Sequence, residues 1–109
     1  MSGKVNLKGV AASPGKAQGL VKVVHGVQDA AGFSEGDVLV APMTEPSMVL
    51  MMNKASAIVT DLGGITSHAA IVSRELGVPC VVATKSATTD LKDGMEVVVD
   101  GTEGTVTTV

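Results

Sequence analysis

The sequence predicts an α/β fold: a single three-layer β/β/α domain with a mixed sheet. Apolar strands and helices alternate between residues 38 and 83, in the β–α–β–α–β order that accompanies parallel pairing. The segments on either side are rich in glycine and have short, turn-separated strands, which indicate antiparallel pairing. The chain has 109 residues, 45% of them hydrophobic, which is enough for one core. We therefore expect one domain over residues 1–109.

Short strands are predicted before the middle portion. Two of them, Val5 to Gly9 and Ala17 to Val24, are separated by the turn-rich Ser13-Pro14-Gly15. Residues 35–37 then form a turn that leads into a third strand, Val38 to Ala41.

Two helices are predicted in the middle portion. The first begins at Thr44-Glu45-Pro46, where a capping hydroxyl, an acid and a proline occupy first-turn positions, and it ends near Lys54. A buried strand, Ala57 to Thr60, leads towards the second helix, which runs from about Ser67 to Leu76. Gly77 follows at the position of a C-cap glycine.

The last part of the chain is predicted to consist mainly of strands. Cys80 to Ala83 is an apolar strand, and a short helical turn covers Thr88 to Leu91. Met95 to Asp100 and Glu103 to Thr108 then form a hairpin around Gly101.

The composition argues against several classes of function. The net charge is −3, the charged residues are interspersed and one aromatic residue is present, so we expect no nucleic-acid surface. No apolar stretch approaches the roughly 20 residues of a membrane-spanning helix. A single cysteine, Cys80, forms no internal disulfide or cysteine metal cage, and we interpret it as a small core residue. Because no signal region follows Met1, we expect a cytoplasmic protein. We also expect no metal site in this chain.

The segment best suited to chemistry covers residues 60–70, with the sequence TDLGGITSHAA. It follows a buried parallel strand, and open α/β sheets bind ligands at the carboxyl ends of such strands. The pair Gly63-Gly64 allows a sharp turn and brings backbone N–H groups near a bound group. Thr66 or Ser67 is the expected N-cap, which places His68 in the first turn of the helix.

This position suits a histidine that accepts and carries a phosphoryl group. The positive end of a helix dipole favours the neutral, nucleophilic imidazole of His68. The same dipole and the free N–H groups of the first turn favour an anion once it is bound. The residues alone leave two alternatives open: a histidine that is merely packed or caps its helix, and a noncovalent anion site at Gly63-Gly64.

Arg74 is predicted not to hold a phosphate on His68. On ideal helix geometry it lies roughly 240° around the axis from His68 and about 9 Å along it. We therefore expect a surface or docking role for its guanidinium group.

Residues 63–74, with the sequence GGITSHAAIVSR, closely resemble the phosphohistidine signature of the phosphoenolpyruvate-utilising enzymes. This family includes phosphoenolpyruvate synthase, pyruvate phosphate dikinase and enzyme I of the sugar phosphotransferase system. The resemblance continues through residues 75–79 and through Lys92-Asp93-Gly94 and Val99-Asp100-Gly101, and it is also found from Gly9 to Gly19. Nearly the whole chain is covered.

The resemblance implies a swivelling β/β/α domain that moves between two catalytic partners. One partner would be a nucleotide-binding domain of the ATP-grasp type, and the other a barrel that binds phosphoenolpyruvate or pyruvate with magnesium. His68 would be phosphorylated transiently through Nε2 and would shuttle the phosphoryl group between these sites. The domain would bind no cofactor directly, because Mg²⁺ and ATP or phosphoenolpyruvate are expected on the partners.

Further site residues follow from the resemblance. Thr66 matches a position that is phosphorylated for regulation in some dikinases, although a cap is the alternative role. Ser47 matches a hydroxyl residue that in enzyme I hydrogen-bonds the active histidine, so it is expected near His68; a first-turn helix serine is the alternative. Gly63-Gly64 and Ser67 complete the expected phosphoryl-binding site.

The sequence also departs from the family pattern. Cys80-Val81-Val82-Ala83 stands where the family commonly has a small residue followed by glycine. No nucleotide-binding domain or barrel is expected within the chain, so it would not complete the family reaction alone. A second function remains open: a non-catalytic regulatory or structural module of the same fold, such as one appended to a pyruvate kinase. The segment Ser73-Arg74-Glu75 resembles the synthase and dikinase branch, which disfavours this alternative.

Overall fold

The computed structural model describes residues 4–109, which contain eight strands and three α-helices. The strands are β1 (Asn6–Lys8), β2 (Val10–Ser13), β3 (Lys16–Val23), β4 (Val38–Ala41), β5 (Ala57–Thr60), β6 (Cys80–Val82), β7 (Glu96–Asp100) and β8 (Thr105–Thr108). The α-helices are α1 (Val49–Lys54), α2 (His68–Leu76) and α3 (Ala87–Asp90). Two 3₁₀ segments cover Val27–Gly32 and Pro46–Met48.

The strands form one mixed sheet in the order β1-β8-β7-β3-β4-β5-β6-β2. Strands β3, β4, β5 and β6 pair with one another in parallel, and the other pairs are antiparallel. Strand β3 joins the two halves, because Lys16 to Leu20 pair with β7 and Val21 to Val23 pair with β4. The predicted mixed sheet is confirmed, although the parallel pairing of β3 was not part of the prediction.

Alternation along the central strands divides the apolar side chains between two cores. In β4, Val38 and Val40 lie in a core between the two halves of the sheet, which they share with valines of β7 and β8. Leu39 and Ala41 lie in a second core on the opposite face, together with methionines of α1 and alanines of α2. The three layers are the antiparallel half, the parallel half and the helices. The predicted α/β, β/β/α architecture is therefore confirmed.

Two elements differ from the prediction. Strand β2 was not predicted, because it is a four-residue edge strand whose register shifts between Ala11 and Ser13, and it pairs with the distant β6. The first helix begins later than predicted, because Glu45 precedes proline and is extended, with φ −145° and ψ 165°, and Pro46–Met48 form a 3₁₀ turn; the helix ends at Lys54, as predicted. Thr44 consequently caps no helix.

Helix α2 ends as predicted. Gly77 adopts the left-handed conformation at the C-cap, with φ 73°, and its N–H donates to the carbonyl of Arg74. Helix α2 has nine residues. No helix within residues 4–109 is long and apolar enough to cross a membrane.

Candidate functional site

The loop between β5 and α2 closes onto the first turn of α2. Gly63 has φ 116°, a conformation that glycine adopts without strain. The carbonyl of Gly64 accepts hydrogen bonds from the N–H of Ser67 at 3.1 Å and from its hydroxyl at 2.7 Å. The hydroxyl of Ser67 also accepts a bond from the N–H of Ala70 at 3.4 Å. Ser67 is therefore the N-cap of α2, and Thr66 is not.

His68 is the first residue of α2 and is half-buried. Its Nδ1 lies 2.8 Å from Oγ1 of Thr44, a residue that is only 4% exposed. Thr44 follows β4, and β4 is the parallel neighbour of β5, so the loops after these two strands lie side by side. Within residues 4–109 no side chain forms a hydrogen bond with Nε2, the other ring nitrogen.

A pocket of about 110 Å³ opens beside the ring of His68. The residues that line it are Met43, Thr44, Thr60, Leu62, Gly63, Ser67, His68 and Ala69. None of these side chains except His68 is charged at any accessible pH. Because pockets that enclose a small-molecule substrate measure roughly 300–1,000 Å³, this one has room for a single group on the imidazole and not for a nucleotide.

Exposed apolar side chains form the rim of this pocket. Met43 and Leu62 are 60% and 59% exposed, and Ile65 in the same loop is 59% exposed. Exposed apolar side chains therefore lie on the loops next to the His68 ring.

The position of Ser47 corrects one prediction. The hydroxyl group that contacts the histidine ring belongs to Thr44, while Ser47 is exposed in the 3₁₀ segment before α1. The two hydroxyl residues lie three positions apart: Thr44 is buried, and Ser47 is exposed in the 3₁₀ segment that begins at Pro46. A signal for Thr44 was present in the sequence, because it lies three residues after the end of a predicted parallel strand. Thr66 is exposed in the loop, and no hydrogen bond of its side chain is found in residues 4–109.

The position of Arg74 confirms one part of a prediction and corrects another: the residue is exposed at the surface, as expected. Its guanidinium group is not a free docking group, because Nη1 donates to the carbonyl of Ala12 at 2.8 Å and Nη2 to that of Ile65 at 2.6 Å. The reason is geometric: side chains on a helix tilt towards its N-terminus, so a long one reaches back over the preceding loop.

Cys80 is a core residue, as predicted. It is fully buried in β6, and burial raises the pKa of its thiol from 9.0 to about 11. The thiol is therefore protonated and unreactive at neutral pH.

A family model matches this chain independently of its geometry. The model of the PEP-utilising enzyme, mobile domain, matches residues 33–104, a range that includes Thr44, His68 and Arg74. The chain belongs to this family. The resemblance of residues 63–74 is thereby confirmed, and the chain is a mobile, swivelling domain of the PEP-utilising enzymes.

The family relatives are much longer than this mobile domain. It is 61% identical over 104 residues to a probable phosphoenolpyruvate synthase of Archaeoglobus fulgidus, covering 95% of this chain and 14% of that protein. It is 59% identical over 103 residues to the phosphoenolpyruvate synthase of Pyrococcus furiosus, covering 94% of this chain and 13% of that protein.

Two solved structures have similar folds. The NMR structure of an Enzyme I protein is 39% identical, with a TM-score of 0.60, and the match covers 68% of this chain and 31% of that one. A chain of the aconitase X of Thermococcus kodakaraensis has a TM-score of 0.72 at 23% identity, over 96% of this chain and 98% of that one. The second similarity concerns the fold alone, so function has to be argued from the site.

Proposed function

We propose that this mobile domain is a phosphoryl carrier and that Nε2 of His68 is the phosphoryl acceptor. The observation that carries the proposal is the 2.8 Å contact between Thr44 Oγ1 and His68 Nδ1. This contact engages one ring nitrogen and leaves the other for chemistry, beside a pocket with room for one small group. Membership of the PEP-utilising enzyme family supports the same role.

The loading step is a transfer of one phosphoryl group. The lone pair of Nε2 attacks the phosphorus of a donor phosphate, an N–P bond forms, and the P–O bond to the leaving group breaks with its electrons going to that group. Nδ1 keeps its proton and donates a hydrogen bond to Thr44 Oγ1, so the phosphorylated ring is cationic and is a good leaving group in the next step. In the discharge step an acceptor oxygen attacks the phosphorus, the N–P bond breaks and the neutral imidazole returns.

The start of α2 favours the phosphorylated state. The N–H groups of His68 and Ala69 are in the first helical turn, where no intrahelical acceptor is available, and the helix dipole adds positive potential. Gly63 and Gly64 keep side chains away from the loop backbone on this side. Ser67 sets the direction of the first turn through its cap bond to Ala70.

In this proposal the donor and acceptor sites belong to partner domains or subunits. The relatives named phosphoenolpyruvate synthase are far longer than this chain, which covers 14% and 13% of two of them. A nucleotide-binding site of the ATP-grasp type and a site for phosphoenolpyruvate or pyruvate would load and discharge His68. The proposal assigns Mg²⁺ and the nucleotide or phosphoenolpyruvate to these partner sites. A cytoplasmic location stays a prediction.

The carrier role is tested by delivery of the phosphoryl group. The chain is loaded with phosphoramidate, freed of the reagent, and mixed with pyruvate and a phosphoenolpyruvate synthase of Pyrococcus furiosus that lacks the segment matching this chain. We expect phosphoenolpyruvate to form as phosphate leaves the chain, for the wild type and for His25→Ala, but not for His68→Ala. Loss of the phosphate only to water, at the same rate with and without the enzyme, would reject the carrier role.

The same experiment addresses the non-catalytic alternative. A regulatory or structural module of this fold would not need the His68 ring for its effect, so His68→Ala would behave like the wild type with any partner. A carrier is inactivated by His68→Ala while its fold and stability persist.

A further inference from the structure

Arg74 links three parts of the fold. It lies in the last turn of α2, and its two terminal nitrogens donate to the carbonyls of Ala12 in β2 and Ile65 in the loop before His68. The two distances, 2.8 Å and 2.6 Å, are typical of strong hydrogen bonds from a charged donor. One side chain therefore connects the far end of α2, the edge strand and the loop at the start of the same helix.

The bond to Ala12 matches an irregularity in the sheet. Val10 and Ala11 pair with Val82 and Val81, but the next pair is Ser13 with Cys80, so Ala12 has no partner in the ladder. Such a bulge leaves backbone groups without ladder bonds and bends the strand. The guanidinium group of Arg74 satisfies the carbonyl that the bulge leaves free.

The bond to Ile65 is one of several hydrogen bonds that hold the loop before α2; Leu62 N–H also donates to the carbonyl of Pro42 at 3.0 Å, and Ser67 bonds the carbonyl of Gly64. The side chains of Leu62 and Ile65 are both 59% exposed, so these two residues contribute little apolar packing to the loop. Backbone segments with few buried contacts open easily, and their position depends on the hydrogen bonds that remain. Arg74 supplies one of these bonds from a rigid helix, immediately beside the Gly64–Ser67 turn that directs His68.

We propose that Arg74 is a positioning residue, which holds the loop before His68 by bridging the carbonyls of Ile65 and Ala12. Through this bridge it keeps the first turn of α2, and thus the His68 ring against Thr44, in the geometry needed for phosphoryl transfer. The inference deepens the proposed function of His68 and rests on it for the transfer step.

The test uses the 109-residue chain with His25→Ala, so that His68 is the remaining histidine of the two. Arg74→Met removes both donors and keeps an apolar stem. Arg74→Lys keeps the charge but lacks the planar fork that spans two carbonyls. Lys92→Met is the matched control, because Lys92 is also an exposed cation that donates to a backbone carbonyl, that of Thr89, outside the site.

We expect the initial rate of His68 phosphorylation by phosphoramidate to fall about tenfold in Arg74→Met, which loses both hydrogen bonds, and less in Arg74→Lys, which can keep one of them. Amide exchange should accelerate at residues 64–67 but not in β3 or β7. The ¹⁵N signals of the His68 ring should move as its contact with Thr44 loosens. Lys92→Met should match the parent in all three measurements.

Two outcomes overturn the inference. One is that Arg74→Met has the same phosphorylation rate, the same amide exchange at residues 64–67 and the same ¹⁵N signals of the His68 ring as the parent chain. The other is that Arg74→Lys matches the parent chain in the same three measurements. This second outcome decides the question if Arg74→Met does not fold. Exchange and ring signals need no phosphoryl donor. They therefore test the positioning role even if the parent chain is never phosphorylated. A parent chain that is never phosphorylated would contradict the proposed function and not the positioning role.

Discussion

Thr44 Oγ1 lies 2.8 Å from Nδ1 of His68, although the two residues are 24 positions apart in the chain. Each follows a strand of the parallel half of the sheet, and these strands, β4 and β5, are direct neighbours. The pair thus joins the loop after β4 to the first residue of α2, the helix that follows β5. A buried threonine is a rigid partner, because its β-branched side chain has few rotamers.

This pair leads to the first prediction. Thr44→Val keeps the shape of the side chain but removes the oxygen that contacts Nδ1. No hydrogen bond then fixes the imidazole proton on Nδ1, and the proton can occupy either ring nitrogen. We expect phosphorylation of His68 to slow about tenfold, since one hydrogen bond contributes about 1 to 1.5 kcal/mol. Thr44→Ser should recover most of the rate. A rate for Thr44→Val equal to that of the wild type, measured with phosphoramidate in the His25→Ala chain, would show that the contact has no part in transfer.

A second prediction concerns the two glycines of the loop. In Gly63→Ala the new Cβ would lie 2.9 Å from Ser67 Oγ, at a φ of 116° that alanine adopts only with strain. We expect a loss of about 1 to 3 kcal/mol in the free energy of unfolding, measured by urea denaturation. Gly64→Ala is the control, because a Cβ there meets nothing within 4 Å. Equal costs at both positions would contradict the described loop conformation.

A third prediction uses the raised pKa of Cys80. Burial raises the pKa of this thiol from 9.0 to about 11, so the folded state binds its proton more tightly than the unfolded state. This contribution to stability is fully present below pH 9.0 and is lost as the pH rises through about 11. Compared with Cys80→Ala, the wild type should lose about 2 kcal/mol over that range. If the free energies of unfolding of the two chains change equally with pH over this range, the described burial of the thiol is contradicted.

Much of the fold could be predicted from the sequence because the relevant signals are local. Strands β4 and β5 are four-residue buried apolar runs, and their predicted bounds are the observed ones. The end of α2 follows from Gly77, which adopts the left-handed C-cap conformation. Binary patterning and capping chemistry act within a few residues, so they can be read without the tertiary structure.

The contacts of the site could be predicted only in part, because they join distant segments. His68 stands where the helix start and the signature residues place it, but the choice between Thr44 and Ser47 depends on the turn at Pro46. The bonds of Arg74 depend on a bulge in β2, an edge strand that has no clear pattern in the sequence. Exposed or irregular segments of this kind are specified by their partners and not by their own residues.

The most direct test of the account is the intact mass of the chain after incubation with phosphoenolpyruvate and a Pyrococcus furiosus phosphoenolpyruvate synthase that lacks the matching segment. We predict that the wild type and His25→Ala each gain one phosphoryl group, which is lost in acid and kept in base, and that His68→Ala gains none. The account is contradicted if His68→Ala is labelled to the same extent as the wild type. It is also contradicted if neither this enzyme nor phosphoramidate labels the wild type.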